Sequence, residues 1–279
     1  MNKESSYCKI IKVFNNNVLW VNQYNSEKVL YGNGIGFGKK VNDKIYDLSS
    51  VTKIFSLEEN SVKYRELTSF VDDELMGLCE EIIYFIYKEL NEELDEKIHV
   101  SLTDHIAFTV KRLKSNDEIY NPFLIETETL YKEEFEIAEK AVKILEERLK
   151  LTIPKGEIGF ITLHIHSARK NGLLSNTIKY AFICNKISDF LEKRLGIKID
   201  KKSLDYARFI THVRFAIERL IKNSPIGNEF YDFIIIQHKD AYKIAEEAAK
   251  IIEDELHIKV VKEEIAYIAI HIEKLKSSQ

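Results

Sequence analysis

The sequence predicts a multidomain protein: a small antiparallel all-β head followed by two all-α helical bundles. Three observations carry this prediction. Hydrophobic residues alternate or cluster in short β-branched and aromatic runs up to about residue 57, then recur at helical spacing from about residue 70. Four of the ten glycines fall at positions 32, 34, 36 and 38, whereas all three prolines come later, at 122, 154 and 225. The helical part also repeats itself at a fixed offset. With 279 residues, 45% of them apolar, the chain is long enough for two or three domains and too apolar for wholesale disorder.

In the head, Lys9–Phe14, Val18–Tyr24, Lys28–Tyr31 and Lys44–Leu48 read as four strands. Asn15-Asn16-Asn17 and Asn25-Ser26 are turn formers between the first three, and the glycine stretch separates the third from the fourth. Such a sheet buries little surface alone and calls for a partner, most simply a second copy of itself. Residues 1–57 carry eight lysines against four acids, a net of +4, which leaves -8 for the rest of a chain whose total is -4. A basic head on an acidic body suits a polyanionic partner at one end only. The polar stretch from Leu57 to Ser69 reads as the joint.

The body is a tandem duplication at one constant offset. Asp104-His105-Ile106 falls on Thr211-His212-Val213, Asn121-Pro122-Phe123 on Asn228-Glu229-Phe230, and Ile137-Ala138-Glu139 on Ile244-Ala245-Glu246. The stretch Glu157 to Ile165 falls on Glu264 to Ile272, with His164 on His271. Each copy thus holds two histidines at the same spacing, His105 and His164 in the first, His212 and His271 in the second. Expected boundaries are 1–60 for the head, 61–171 for the first repeat and 172–279 for the second. In the first repeat, Ala138, Ala141, Val142, Leu145 and Leu149 make an apolar helix stripe within Glu134–Lys150.

Four matched histidines admit three readings. They are core groups copied by duplication, metal ligands, or nucleophiles that accept a phosphoryl group. Against metal, His164 and His166 stand two apart and do not share a helix face, Glu273 replaces His166 in the second copy, and no CxxC or HExxH occurs. On the phosphoryl reading, Arg112 and Arg219 are the nearby cations that an added phosphate could engage. His99, His166, His238 and His257 have no histidine counterpart and read as surface or packing residues. Three cysteines make no disulfide scaffold, and with no apolar leader and no run of about 18 apolar residues the expectation is a cytoplasmic protein without membrane insertion.

Together, Lys9-Ile10-Ile11-Lys12-Val13-Phe14-Asn15-Asn16-Asn17-Val18, the run Gly32-Asn33-Gly34-Ile35-Gly36-Phe37-Gly38-Lys39-Lys40 and the four histidine motifs resemble the BglG/SacY/LicT-type transcriptional antiterminators over nearly the whole chain. The resemblance implies a dimeric co-antiterminator RNA-binding head and two PTS regulation domains. It implies an RNA-bound homodimer that holds a hairpin in nascent messenger RNA and so excludes an overlapping terminator, with no enzymatic turnover and no cofactor. It implies RNA contacts from Lys12, Asn15, Asn17, Gly32, Asn33, Gly34, Phe37 and Lys39. Asn33 departs from the family, which usually has Arg or Lys there; Lys39 and Lys40 are the nearby charges left to compensate. It also implies phosphorylation at His105 or His164 by a sugar-specific permease (enzyme II), which inactivates, and at His212 or His271 by the carrier HPr, which activates.

The residue types suit RNA independently. RNA is read mostly at loops and bulges, where amides pair with base edges and an aromatic ring stacks on an unpaired base. Asn15–Asn17 also fits a plain hairpin turn, and Phe37 also fits a core position. Two other functions compete. A metal-dependent hydrolase built on the histidine pairs lacks the usual carboxylate-histidine motifs. A DNA-binding activator needs a helix-turn-helix head, and the β-rich, glycine-rich start of the chain does not resemble one.

Overall fold

In a computed structural model, residues 7–57, 60–117, 119–169, 174–224, 227 and 231–277 are described. The partner triplet Asn228-Glu229-Phe230 of the repeat lies outside them. The head is an antiparallel sheet of five strands, β1 (Cys8–Val13), β2 (Val18–Gln23), β3 (Ser26–Tyr31), β4 (Lys44–Ile45) and β5 (Lys53–Ser56), in the order β4-β1-β2-β3-β5. One strand more than expected is present. β5 is a short edge strand that pairs Tyr31 with Lys53 and Val29 with Phe55, too brief to show a period in the sequence. Between β2 and β3 the turn is Tyr24-Asn25, both with φ near +60°, so Ser26 already pairs with Gln23. Two positive φ values in so tight a loop match the right-handed twist of the strands.

Both faces of β2 are covered, and Val18, Leu19, Trp20 and Val21 are all buried. One face packs Cys8, Ile10, Leu19, Val21, Leu30 and Ile35 into a small core. On the other, Phe14 and Trp20 meet Tyr64 of α1 (Ser61–Leu67), and Tyr31 stacks on Tyr84 of α2 (Asp73–Leu90) with ring centroids 3.9 Å apart. The joint read as polar chain is therefore partly helix. Tyr64 anchors it by donating to Glu80 Oε1 at 2.8 Å, and Glu80 Oε2 lies 2.6 Å from Nδ1 of the buried His99. α2 begins on an Asp72 cap that accepts from Leu75 N at 2.8 Å and ends at Asn91, which takes the left-handed conformation.

The remaining helices are α3 (Ile98–Lys114), α4 (Leu124–Leu130), α5 (Lys132–Leu149), α6 (Lys155–Arg169), α7 (Leu174–Leu195), α8 (Leu204–Ile221), α9 (Tyr231–Gln237), α10 (Lys239–Leu256) and α11 (Lys262–Ser277). The offset that sets His105 on His212 also carries α4 onto α9 and α5 onto α10 without slippage. It carries the positive-φ residues Asn116 and Lys150 onto Asn223 and His257 as well. The expected stripe of α5 is inside: Ala138, Ala141, Val142 and Leu145 are buried, with Leu149 partly so.

The chain divides into two compact units. The first comprises Met1–Tyr120 and Glu133–Gly172, so the head and most of the first repeat form one body. The second comprises Asn121–Lys132 and Leu173–Gln279. α4, which lies between α3 and α5 in the chain, thus groups with the second unit and packs on α7 and α8. Its buried Glu126 accepts from Tyr206 Oη at 2.6 Å and pairs with Lys201 at 2.8 Å. No described helix is long and apolar enough to cross a membrane.

Candidate functional site

In the head, the Asn15–Asn17 turn and the glycine loop form one structure. Asn15 Oδ1 accepts from Asn17 N at 2.8 Å, Asn17 Oδ1 accepts from Gly34 N at 3.0 Å, and Gly36 N donates to Asn16 O at 2.9 Å. A Cβ on Gly36 would stand 2.3 Å from Asn15 O, so only glycine lets the two segments meet. Ile35 fills the core and Phe37 stands 77% exposed beside exposed Asn33, Gly34 and Lys39, so the core position considered for Phe37 belongs to Ile35.

The candidate RNA residues divide into two sets. Asn33, Gly34, Phe37 and Lys39 face solvent, whereas Gly32 is buried. Lys12, Asn15 and Asn17 are held by α2. Lys12 Nζ lies 2.6 Å from Asp73 Oδ1. Asn15 Nδ2 and Asn17 Nδ2 both donate to Glu81 Oε1, at 2.9 and 3.2 Å, and Arg148 holds the other oxygen at 3.1 Å. Gly77 in the middle of α2 makes room: a Cβ there would lie 2.4 Å from Asn15 Nδ2. A glycine inside a helix costs about 1 kcal/mol, which this close approach explains.

In the body, α3 packs on α6 and α8 on α11, and each packing brings two histidines together. The His105 and His164 rings are 5.1 Å apart, and those of His212 and His271 are stacked at 4.0 Å. In each pair one member is more open. His164 is buried and His105 partly exposed; His271 is partly exposed and His212 exposed. Burial, then the neighbouring His105, pushes His164 down to about 3. Burial, then His212 and Arg208, pushes His271 down to about 4, and burial, then Arg219, lowers His212. These three imidazoles are therefore neutral near pH 7, and His164 Nδ1 shares a 3.2 Å hydrogen bond with Ser101 Oγ.

Beside each pair lies a duplicated Arg–Glu pair that the sequence discloses only by half. Arg112 and Arg219 stand out there as cations near the histidines. Their partners Glu157 and Glu264 head the aligned stretches, and nothing in the sequence ties them to the arginines. Arg219 grips Glu264 with two bonds of 2.6 Å. Glu157 accepts from Arg112 Nη2 at 2.8 Å and from Thr109 Oγ1 at 2.9 Å, and lies 3.1 Å from His105 Nε2. Burial works against its charge, but His105, Arg112 and Thr109 outweigh it and hold the carboxyl at about 2. Arg112 Nε and Nη1 are buried without a hydrogen-bond partner, so this guanidinium keeps unused donors. Among the described residues, no group of three or more His, Cys, Asp or Glu converges as metal ligands, and nothing favours the metal-hydrolase alternative.

Comparison with known proteins adds the following. The CAT RNA binding domain family matches residues 8–63, and the PRD domain family matches residues 80–168 and 185–275. Transcription antiterminator LicT of Bacillus subtilis (strain 168) is 35% identical over 274 residues, covering 96% of this chain and 98% of that one. Protein GlcT of Staphylococcus haemolyticus is 35% identical over 267 residues, covering 94% of each. A crystal structure of GlcT CAT-PRDI is 44% identical with a TM-score of 0.52, covering 59% of this chain and 99% of that one.

Proposed function

The chain belongs to the transcription antiterminator family that joins a CAT RNA-binding domain to two PRD domains, and on that footing we propose a phosphorylation-switched RNA clamp. The head binds a looped hairpin in nascent messenger RNA and keeps an overlapping terminator from forming. Exposed Phe37 stacks on an unpaired base, Asn33 and Gly34 approach the loop, and Lys39 meets phosphates. Lys12, Asn15 and Asn17 join when α2 releases them. The bound species is a homodimer.

The histidine pairs set the switch. A sugar-specific permease loads the first pair, His105 or His164, and HPr loads the second, His212 or His271. Each phosphate adds up to about two negative charges, by analogy with other phosphorylated side chains. Arg112 and Arg219 are the cations placed to receive them, each now engaged with a glutamate. Moving a two-state equilibrium from 1:99 to 99:1 takes about 5.5 kcal/mol, within reach of several phosphates per dimer. The observation that carries this reading is the twofold occurrence of two histidine rings brought into contact, one member more open than the other, at matching places in two repeats.

The test is phosphotransfer to the full chain from HPr and from a permease domain, with His→Ala changes at the four positions, alongside hairpin binding by the same preparations. Label that persists with all four histidines removed refutes the sites. Hairpin binding indifferent to phosphorylation refutes the switch.

A further inference from the structure

His105 is only 17% exposed, and its two ring nitrogens are not equivalent. Nε2 has no accessible surface and makes no well-directed hydrogen bond, yet lies 3.1 Å from Glu157 Oε2. Glu157 is itself 1% exposed and fixed by Arg112 and Thr109, so it cannot swing aside without breaking two bonds. The space between the helices here is a void of about 10 Å³, lined by His105, Thr109, Leu145, Ile153, Glu157 and Ile161. On this measure about 10–15 Å³ is what one water needs, so the space is at the limit for a single water and too small for a phosphoryl group. Its oxygens would also press against a carboxylate held as an anion.

We infer that His105 takes a phosphoryl group at Nδ1, and that Glu157 is the positioning residue that enforces this by keeping the proton on Nε2. The inference rests on the reading of His105 as a phosphoacceptor. In the step, the Nδ1 lone pair forms the new N–P bond. The bond from phosphorus to the donor atom breaks, and its electron pair leaves with the donor. The Nε2 proton stays in place, so the ring becomes a cation that faces Glu157 and is stabilised by it. The second repeat lacks this constraint. Glu264 gives both oxygens to Arg219, and His212 stands exposed. One repeat thus dictates the phosphohistidine isomer, and the other leaves it open.

The experiment treats the full chain with potassium phosphoramidate, a small phosphoryl donor. Labelled histidines are located by mass spectrometry, and the isomer at each is read with antibodies specific for the Nδ1 or the Nε2 form. The expected result is the Nδ1 isomer alone at His105, with Glu157→Gln admitting the Nε2 isomer there. His212 serves as the accessible control. Nε2 label at His105 in the unaltered chain overturns the inference, as does an isomer pattern unmoved by Glu157→Gln. Label on His212 with none on His105 also overturns it. Label on neither overturns the phosphoacceptor reading beneath it.

Discussion

Neutralising the acids of α2 that hold the head should tighten RNA binding by the full chain. The perturbation is the double change Asp73→Asn and Glu81→Ala. The Lys12–Asp73 pair is 29% and 47% exposed on its two sides, so it contributes about 0.5 kcal/mol. The two amide bonds to Glu81, at 2.9 and 3.2 Å, go to a charged acceptor but are only partly buried and share it with Arg148, so they contribute about 1 kcal/mol together. RNA that claims Lys12, Asn15 and Asn17 must first displace these contacts. Their removal should therefore lower the Kd by roughly 1.5 kcal/mol, about tenfold. The assay is a hairpin titration at fixed salt, because phosphate contacts make affinity steeply salt-dependent. Circular dichroism checks that α2 survives the loss of a first-turn acid. An unchanged or weaker Kd in a folded double variant refutes the competition between α2 and RNA.

Phe37→Ala should cost about 1–3 kcal/mol of hairpin affinity and almost no stability, because the ring is 77% exposed; equal loss in urea melts would count against a stacking role. Stability should fall with acidity through buried His164 and partly buried His271. Their folded pKa values are lowered, to about 3 for His164 and about 4 for His271, so the unfolded chain takes up protons below about 6.5 that the folded chain refuses. His164 should contribute fully above pH 6.5 and lose up to roughly 1.4 kcal/mol per pH unit below it, until its folded pKa is reached, and the more open His271, screened by solvent, should lose less. Urea unfolding at pH 7 and pH 5, with His164→Asn flattening part of the difference, reads this; equal stability at both pH values would contradict it. Tyr206→Phe removes a bond to buried Glu126 and should destabilise the second unit by about 1.5–3 kcal/mol, visible as a lower urea midpoint.

What the sequence disclosed follows physical range. The strands of the head show through Val, Ile and Trp runs, and the histidine pairs through an offset that holds in one chain. α1 stayed hidden because only Tyr64 and Leu67 of its seven residues turn inward, and a single turn of contacts has no readable period. β5 is shorter still and has the same problem. The hold of α2 on Asn15 and Asn17 leaves no local signal, since Glu81 lies in another element far along the chain. Gly77 was an available hint, a glycine where a helix should prefer alanine. Glu157 and Glu264 sat inside the aligned stretches, overshadowed by the histidines that follow them.

The excursion of residues 121–132 into the second unit means that the two halves share no single cut point. A fragment stopping at residue 172 would keep α4 but lose α7 and α8, leaving Glu126 without its tyrosine and lysine. The covalent thread leaves the first unit, is moored by α4, and returns at Glu133, at the start of α5. The backbone thus passes from one unit to the other three times, after residues 120, 132 and 172, where a simple tandem array would pass once.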